Sequence, residues 1–137
     1  MTAAGRDRFE RRLEELAEAI RDSGARMLVC TQSMVLHRDG ARDEIARISR
    51  NPTRQRELVE TGEQLAELLA RFAERHRAPL VDAYRGIAPT RSHLVDAIHL
   101  TAAGERRLAG LPARRARRDA AGCGHDGPAI EEWRQAR

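Results

Sequence analysis

An aspartate and a histidine three residues apart are the side chains of this sequence best placed to do chemistry. Asp96 and His99 lie in a segment that ends at Gly104, directly ahead of a predicted helix start at Thr101. An imidazole acts as a general base near neutral pH when a carboxylate holds one of its ring nitrogens as a hydrogen-bond donor. The pair therefore forms half of a hydrolytic triad. The same spacing also fits an exposed loop acid beside a structural histidine.

The first half of the chain predicts one helix followed by one strand. Apolar residues recur at helical spacing over residues 6–22, and Gly24 ends this amphipathic helix. Met27 to Cys30 form a short continuous apolar run. Such a run is typical of a strand that is buried on both faces in a parallel sheet. The apolar positions of the helix are Phe9, Leu13, Leu16, Ala17 and Ile20.

The second half of the chain repeats the order of helix and strand. Asn51 and Pro52 open a helix, with asparagine as N-cap and proline at the first helical position. A second short strand follows at Leu80 and Val81, and a final helix over residues 102–111 is stopped by Pro112. We expect loops over 33–40 and 84–92 and a short helix over 41–49. Because parallel strands need crossover connections, this order predicts an α/β fold. The apolar side of the central helix carries Leu58, Leu65, Leu68, Leu69 and Phe72.

The composition changes after Pro112. We divide the 137 residues into a folded part, 1–111, and an Arg- and Gly-rich tail, 112–137, which we predict to be disordered. Four arginines between Ala113 and Arg118 could form an electrostatic arm, but they lack the interleaved aromatic residues that stack on bases. Cys123, His125 and Asp126 have no second ligand pair at finger-like spacing, so we expect no metal site there.

Charge and composition exclude several classes of function. The net charge is only +4, because 25 basic residues are nearly balanced by 21 acidic ones, and this balance does not favour nucleic-acid binding. Two cysteines give no disulfide framework. No stretch reads as a signal peptide or a membrane span, so the default expectation is a cytoplasmic location.

Three segments together resemble one enzyme family. The segment from Asp96 to Gly104, with Arg107 to Ala109 after it, is similar to the last block of the SGNH (GDSL-type) esterase and lipase superfamily, which reads Asp-Gly-x-His-Leu-Thr-x-x-Gly. Ala97 stands where many members have glycine. Residues 25–32, ending in Thr-Gln, and residues 78–83 are similar to the two strands that precede this block, in the same order. The resemblance spans roughly residues 8–111.

The resemblance implies the fold and the chemistry. It implies a three-layer α/β/α, flavodoxin-like sheet, of which this chain holds only the last strands and helices. It further implies hydrolysis of a carboxylic ester, such as a lipid or acetyl ester, through an acyl-enzyme and without a cofactor. His99 would act as general base and then acid, and Asp96 would orient it. The family's Gly-Asp-Ser, oxyanion Gly and Gly-x-Asn-Asp blocks have no counterpart in this chain, so we expect very low activity from the chain alone.

The chain has four serines that could replace the missing nucleophile. Ser33 is the best placed of them, because it follows the first strand at its carboxyl end. It lacks the tight, Gly-flanked turn that exposes a nucleophile, so a place in the pocket wall suits it better. The other three are Ser23, Ser49 and Ser92.

The missing strands leave a hydrophobic edge beside Met27 to Cys30, and such an edge invites pairing. A poorly folding fragment, a homodimer through strand edges, and a piece that complements a separate nucleophile-bearing chain all fit this prediction. A truncated reading frame is the most economical origin. The alternative function is a non-catalytic interaction module whose Arg-rich tail binds an acidic partner. Flavodoxin-like folds in general also explain the element order, but not Asp96 and His99.

Overall fold

The computed structural model describes residues 1–35, 37, 45–46 and 49–115. This part of the chain includes two long helices, two short helices and three short strands. The helices are α1, Ala3–Asp22; α2, Pro52–Arg75; α3, Ala83–Gly86; and α4, Ala102–Ala109. The strands are β1, Val29–Cys30; β2, Pro79–Val81; and β3, Arg114–Arg115.

Side-chain caps set the starts of both long helices. The Thr2 hydroxyl accepts a hydrogen bond from the Gly5 amide, so α1 begins three residues earlier than predicted. Asn51 caps α2 and Pro52 opens it, as the sequence predicts. After α1 the chain turns at Gly24, whose φ of 73° lies in the left-handed region that glycine adopts readily.

The sheet has the order β1-β2-β3. β1 and β2 are parallel, with Val29 opposite Leu80 and Cys30 opposite Val81. The α/β class is therefore confirmed, and the small parallel sheet is consistent with an incomplete SGNH-type fold. β1 is shorter than the predicted run from Met27 to Cys30. Within the described residues it pairs on one side only, and the neighbouring Leu28 side chain is 52% exposed.

α1 and α2 lie side by side and share one core with the sheet. The N-terminal amine of Met1 contacts the Thr61 hydroxyl at 3.0 Å, and Glu14 contacts Arg75 at 2.8 Å. Met1 precedes Glu14 at α1, and their partners Thr61 and Arg75 follow in the same order along α2, so the two helices run parallel. The buried cluster beneath them consists of Ala17, Val29, Phe72, Ala73 and Ala78, with Leu13, Met27, Leu69 and Leu80 packed against it.

The structure departs from the sequence predictions in two further places. Residues 84–86, which the sequence assigns to a loop, belong to α3, because the Asp82 carboxylate accepts from the Arg85 amide and caps this turn. Arg114 and Arg115, which the sequence places in the tail, pair antiparallel with β2. The predicted helix over 41–49 lies mostly outside the described residues, as does the tail after Arg115. No helix in the described part has the length and apolarity needed to cross a membrane.

Candidate functional site

Asp96 and His99 occupy the tip of a short hairpin that leads into α4. Leu94 and Leu100 form an antiparallel bridge, and the Val95 amide donates to the His99 carbonyl at 2.8 Å. Leu94 is buried and anchors the hairpin to the body of the protein. The hairpin therefore holds the four residues 96–99 in one compact turn.

The Asp96 carboxylate holds both the turn and the imidazole ring. Its Oδ1 accepts from the Ile98 amide at 3.0 Å and from the His99 amide at 2.9 Å. The Nδ1 atom of His99 lies 2.7 Å from Oδ2 and 2.9 Å from Oδ1. An ionised carboxylate can only accept hydrogen bonds, so Nδ1 carries the proton in this pair. In the neutral ring, Nε2 is then the basic nitrogen, and within the described residues it has no hydrogen-bond partner.

Hydrogen bonding keeps Asp96 ionised. The amides of Ile98 and His99, and then the His99 ring, lower the pKa of the Asp96 carboxyl from 3.8 to about 2. The Asp96 carboxylate is therefore fully charged at neutral pH. That charge suits the role of stabilising an imidazolium that forms during a proton transfer.

This lowered pKa predicts how the hairpin tip responds to acid. Since the folded-state pKa lies below the ordinary value, the stabilisation from ionised Asp96 is complete above pH 3.8 and is lost as the pH falls through about 2. A carboxyl ¹³C titration should place the Asp96 midpoint near 2. The His99→Gln variant keeps both backbone amides, the two largest causes, so its midpoint should return only part of the way. A wild-type midpoint at or above 3.8 would contradict this geometry.

The pair is open to solvent, and apolar residues flank it. The His99 and Asp96 side chains are 72% and 55% exposed. Val95 and Ile98, on the same tip, are 65% and 40% exposed, although both are large hydrophobic residues. Water weakens the electrostatic effect of an exposed carboxylate on an imidazole. A working acid-base pair at this tip therefore needs a covering surface that excludes water, and the two apolar side chains fit such a surface.

The base of the hairpin is locked to the start of α4. The Thr101 hydroxyl donates to the Ser92 carbonyl at 2.6 Å and accepts from the Gly104 amide at 3.1 Å. Gly104 itself packs directly on the hairpin backbone: a Cβ atom added there would lie 2.2 Å from the His93 carbonyl oxygen. The Thr-x-x-Gly part of the motif thus has a physical role, since it fixes the hairpin on the helix.

The structure does not bring Ser33 to the imidazole. The Ser33 side chain is buried, at 5% exposure, and among the described residues the His99 ring nitrogens contact only Asp96. The segment that holds Ser33 does reach the hairpin, because the Val35 amide donates to the Ala97 carbonyl at 2.9 Å. Ser33 is therefore a buried residue of the segment that contacts the hairpin, two residues before Val35.

A hydrogen-bonded pair that was not predicted from the sequence, the buried Thr31 and the partly buried Asp82, lies at the carboxyl ends of β1 and β2. The Thr31 hydroxyl donates to Asp82 Oδ1 at 3.0 Å and accepts from the Tyr84 amide at 2.9 Å. The sequence does contain a signal for this contact: Thr31 and Asp82 are polar residues that directly follow the two strands, and the carboxyl ends of neighbouring parallel strands meet at the same edge of the sheet.

A second histidine-carboxylate pair lies away from the hairpin. Nε2 of His76 contacts Glu14 at 2.7 Å between α2 and α1, and the ring packs on Phe72. The pair links two helices and is not part of a turn, so it serves the fold. In the described part of the chain, no three His, Cys, Asp or Glu side chains are grouped so that they could hold a metal ion.

Comparison with known proteins adds one match. No curated protein and no solved structure matches the chain. Residues 1–107 match the GDSL-like Lipase/Acylhydrolase family, and this range contains the two parallel strands β1 and β2, the hairpin and most of α4. The match covers more than half of the sequence, so the chain belongs to the GDSL-like Lipase/Acylhydrolase family, within the SGNH hydrolase superfamily.

Proposed function

We propose that this chain supplies the general base and its orienting carboxylate to a serine ester hydrolase. The observation that carries the proposal is the contact between the Nδ1 atom of His99 and Asp96, which leaves Nε2 at the hairpin tip without a hydrogen-bond partner among the described residues. The substrate class is a carboxylic ester, such as a lipid or acetyl ester, as family membership suggests.

The proposed reaction has two steps. Nε2 of His99 takes the proton from a serine hydroxyl while the serine oxygen attacks the ester carbonyl, and the imidazolium then returns the proton to the leaving alcohol. In the second step His99 takes a proton from water, which attacks the acyl-enzyme. The carboxylic acid leaves and the serine recovers its proton. Asp96 stays ionised and stabilises the imidazolium in both steps.

We assign the nucleophilic serine to a polypeptide segment outside these 137 residues. The sequence has no Gly-Asp-Ser block, and Ser33, the best placed of its serines, is buried and not in contact with His99. Two observations support a covering segment: β1 has a free edge within the described residues, and apolar residues flank the exposed pair. The chain would then be the C-terminal portion of a larger hydrolase.

The test is to express the chain alone and together with the polypeptide encoded beside it, and to measure nitrophenyl ester hydrolysis. The proposal requires that polypeptide to carry Gly-Asp-Ser and Gly-x-Asn-Asp blocks. We expect hydrolysis from the pair of polypeptides only, and we expect His99→Gln to lower it by about 10²- to 10⁴-fold.

His93→Gln is the matched control, because His93 lies on the same loop and its ring contacts only Thr90 and Ser92 among the described residues. It should leave the rate within about twofold of the wild type. Equal rates for wild type and His99→Gln would overturn the assignment of the base. An adjoining coding sequence without the two blocks would overturn the fragment proposal.

A further inference from the structure

Thr31 is a polar residue in a place that hydrophobic side chains normally occupy. Thr31 is 1% exposed. In the described part of the protein, Leu68 and Thr31 have the largest fully buried side chains. Its hydroxyl both donates and accepts, to Asp82 at 3.0 Å and from the Tyr84 amide at 2.9 Å. A buried hydroxyl with both capacities used is a rigid link.

These bonds join the carboxyl ends of the two parallel strands. The Thr31 amide donates to the Val81 carbonyl at 3.0 Å and so completes the pairing of β1 with β2 at their carboxyl ends. Asp82 is in turn held by the Arg85 amide at 3.3 Å and by the Arg85 guanidinium at 3.0 Å. Thr31 is therefore fixed to β2 and to the start of α3.

The chain runs from this fixed point directly to the hairpin tip. Four residues after Thr31, the buried Val35 donates its amide proton to the Ala97 carbonyl at 2.9 Å. Ala97 lies between Asp96 and His99 in the turn that holds the imidazole. The segment Thr31–Val35 thus connects the carboxyl end of β1 to the turn that holds the proposed acid-base pair.

We infer that Thr31 is a positioning residue for the Asp96–His99 pair, acting through the segment Thr31–Val35. This inference rests on the proposed function, because it gives the hairpin a catalytic orientation to maintain. The role of Thr31 depends on the two hydrogen bonds of its hydroxyl group. Serine at this position should therefore preserve the orientation of the pair, and valine should not.

The first test needs no activity and uses the chain alone. Amide hydrogen exchange is measured by NMR for Thr31→Val, Thr31→Ser and wild type. In Thr31→Val the amides of Val35, Ile98 and His99 should exchange about five- to tenfold faster, whereas Thr31→Ser should restore the wild-type rates. The tautomer of His99, read from long-range ¹H–¹⁵N spectra, should lose its preference for a proton on Nδ1 in Thr31→Val only.

Leu68→Ala is the control for general destabilisation. Leu68 is similarly buried, lies on α2 and makes none of the hydrogen bonds that link Thr31 to the hairpin. The inference predicts that Leu68→Ala lowers the unfolding midpoint but leaves the His99 tautomer unchanged. It is overturned if Leu68→Ala changes the tautomer as much as Thr31→Val, or if Thr31→Val leaves tautomer and exchange unchanged.

The second test separates this inference from the proposed function. In the reconstituted hydrolase, Thr31→Val should lower kcat about tenfold with KM unchanged, and Thr31→Ser should recover it. A Thr31→Val effect on the tautomer, together with hydrolysis that does not need His99, would refute the proposed function while the link to the hairpin stands. Hydrolysis that needs His99 but is unaffected by Thr31→Val would refute the inference alone.

Discussion

Replacing Gly104 with alanine is expected to destabilise the protein by about 3 kcal/mol, the upper part of the range for overpacked sites. The added Cβ atom would lie 2.2 Å from the His93 carbonyl oxygen and 2.9 Å from a Leu100 methyl carbon. The nearer neighbour is backbone, so the hairpin must move away from α4. Urea unfolding measures the loss. Amide exchange at Thr101, which donates to the His93 carbonyl at 2.9 Å, locates it at the hairpin.

Gly110→Ala is the matched control for this prediction. Gly110 lies at the other end of α4 with a φ of −87°, and the nearest atoms to an added Cβ are 3.6 Å away. Alanine fits there without strain, so the free energy of unfolding should stay within about 0.5 kcal/mol or rise slightly. If the two variants are equally stable, α4 does not pack on the hairpin in the way described.

The second large effect is expected from Asp96→Asn in the reconstituted hydrolase. Asparagine keeps a side-chain oxygen that can accept from the Ile98 and His99 amides, but it carries no charge to stabilise an imidazolium. We therefore expect kcat for ester hydrolysis to fall by about 10²- to 10⁴-fold, while the exchange rates of both amides stay close to wild type.

Comparing Asp96→Ala with Asp96→Asn separates the effect of the negative charge on kcat from the effect of the hydrogen bonds that hold the turn. Asp96→Ala removes the acceptor as well as the charge, so kcat should fall at least as far and the Ile98 and His99 amides should also exchange faster. If Asp96→Asn hydrolyses the ester at the wild-type rate, the carboxylate is only a structural cap of the turn.

The pairing of Asp96 with His99 could be predicted because it is local. The two residues are three positions apart, and a carboxylate that accepts from the next amides forms a common type of turn. The start of α4 was equally predictable, since Thr101 caps it and Gly104 follows in the first turn. Both features depend on a few neighbouring residues and not on the rest of the fold.

Contacts between distant parts of the chain could not be predicted. The Thr31–Asp82 bond joins residues 51 positions apart, and the Glu14–His76 pair joins residues 62 positions apart. Their formation depends on the register of β1 on β2 and on the parallel arrangement of α1 and α2. A sequence pattern gives neither of these, although the two polar residues after the strands hinted at the first.

The sequence predicts a longer β1 than the structure contains, for a related reason. The run from Met27 to Cys30 is uniformly apolar, which is typical of a central strand, yet only Val29 and Cys30 pair with β2. Leu28 is 52% exposed, and in the described part of the protein β1 pairs with a strand on one side only. The apolar pattern fits a strand with neighbours on both sides, as the proposal of a covering segment requires.

The most direct measurement is the rate and site of fluorophosphonate labelling in the reconstituted hydrolase, with wild-type chain and with His99→Gln. Mass spectrometry identifies the labelled residue. We expect no label on the chain alone, a labelled serine outside residues 1–137 after reconstitution, and labelling at least about 10²-fold slower with His99→Gln. Rapid labelling of Ser33 in the chain alone, or equal rates with and without the His99 imidazole, would contradict this expectation.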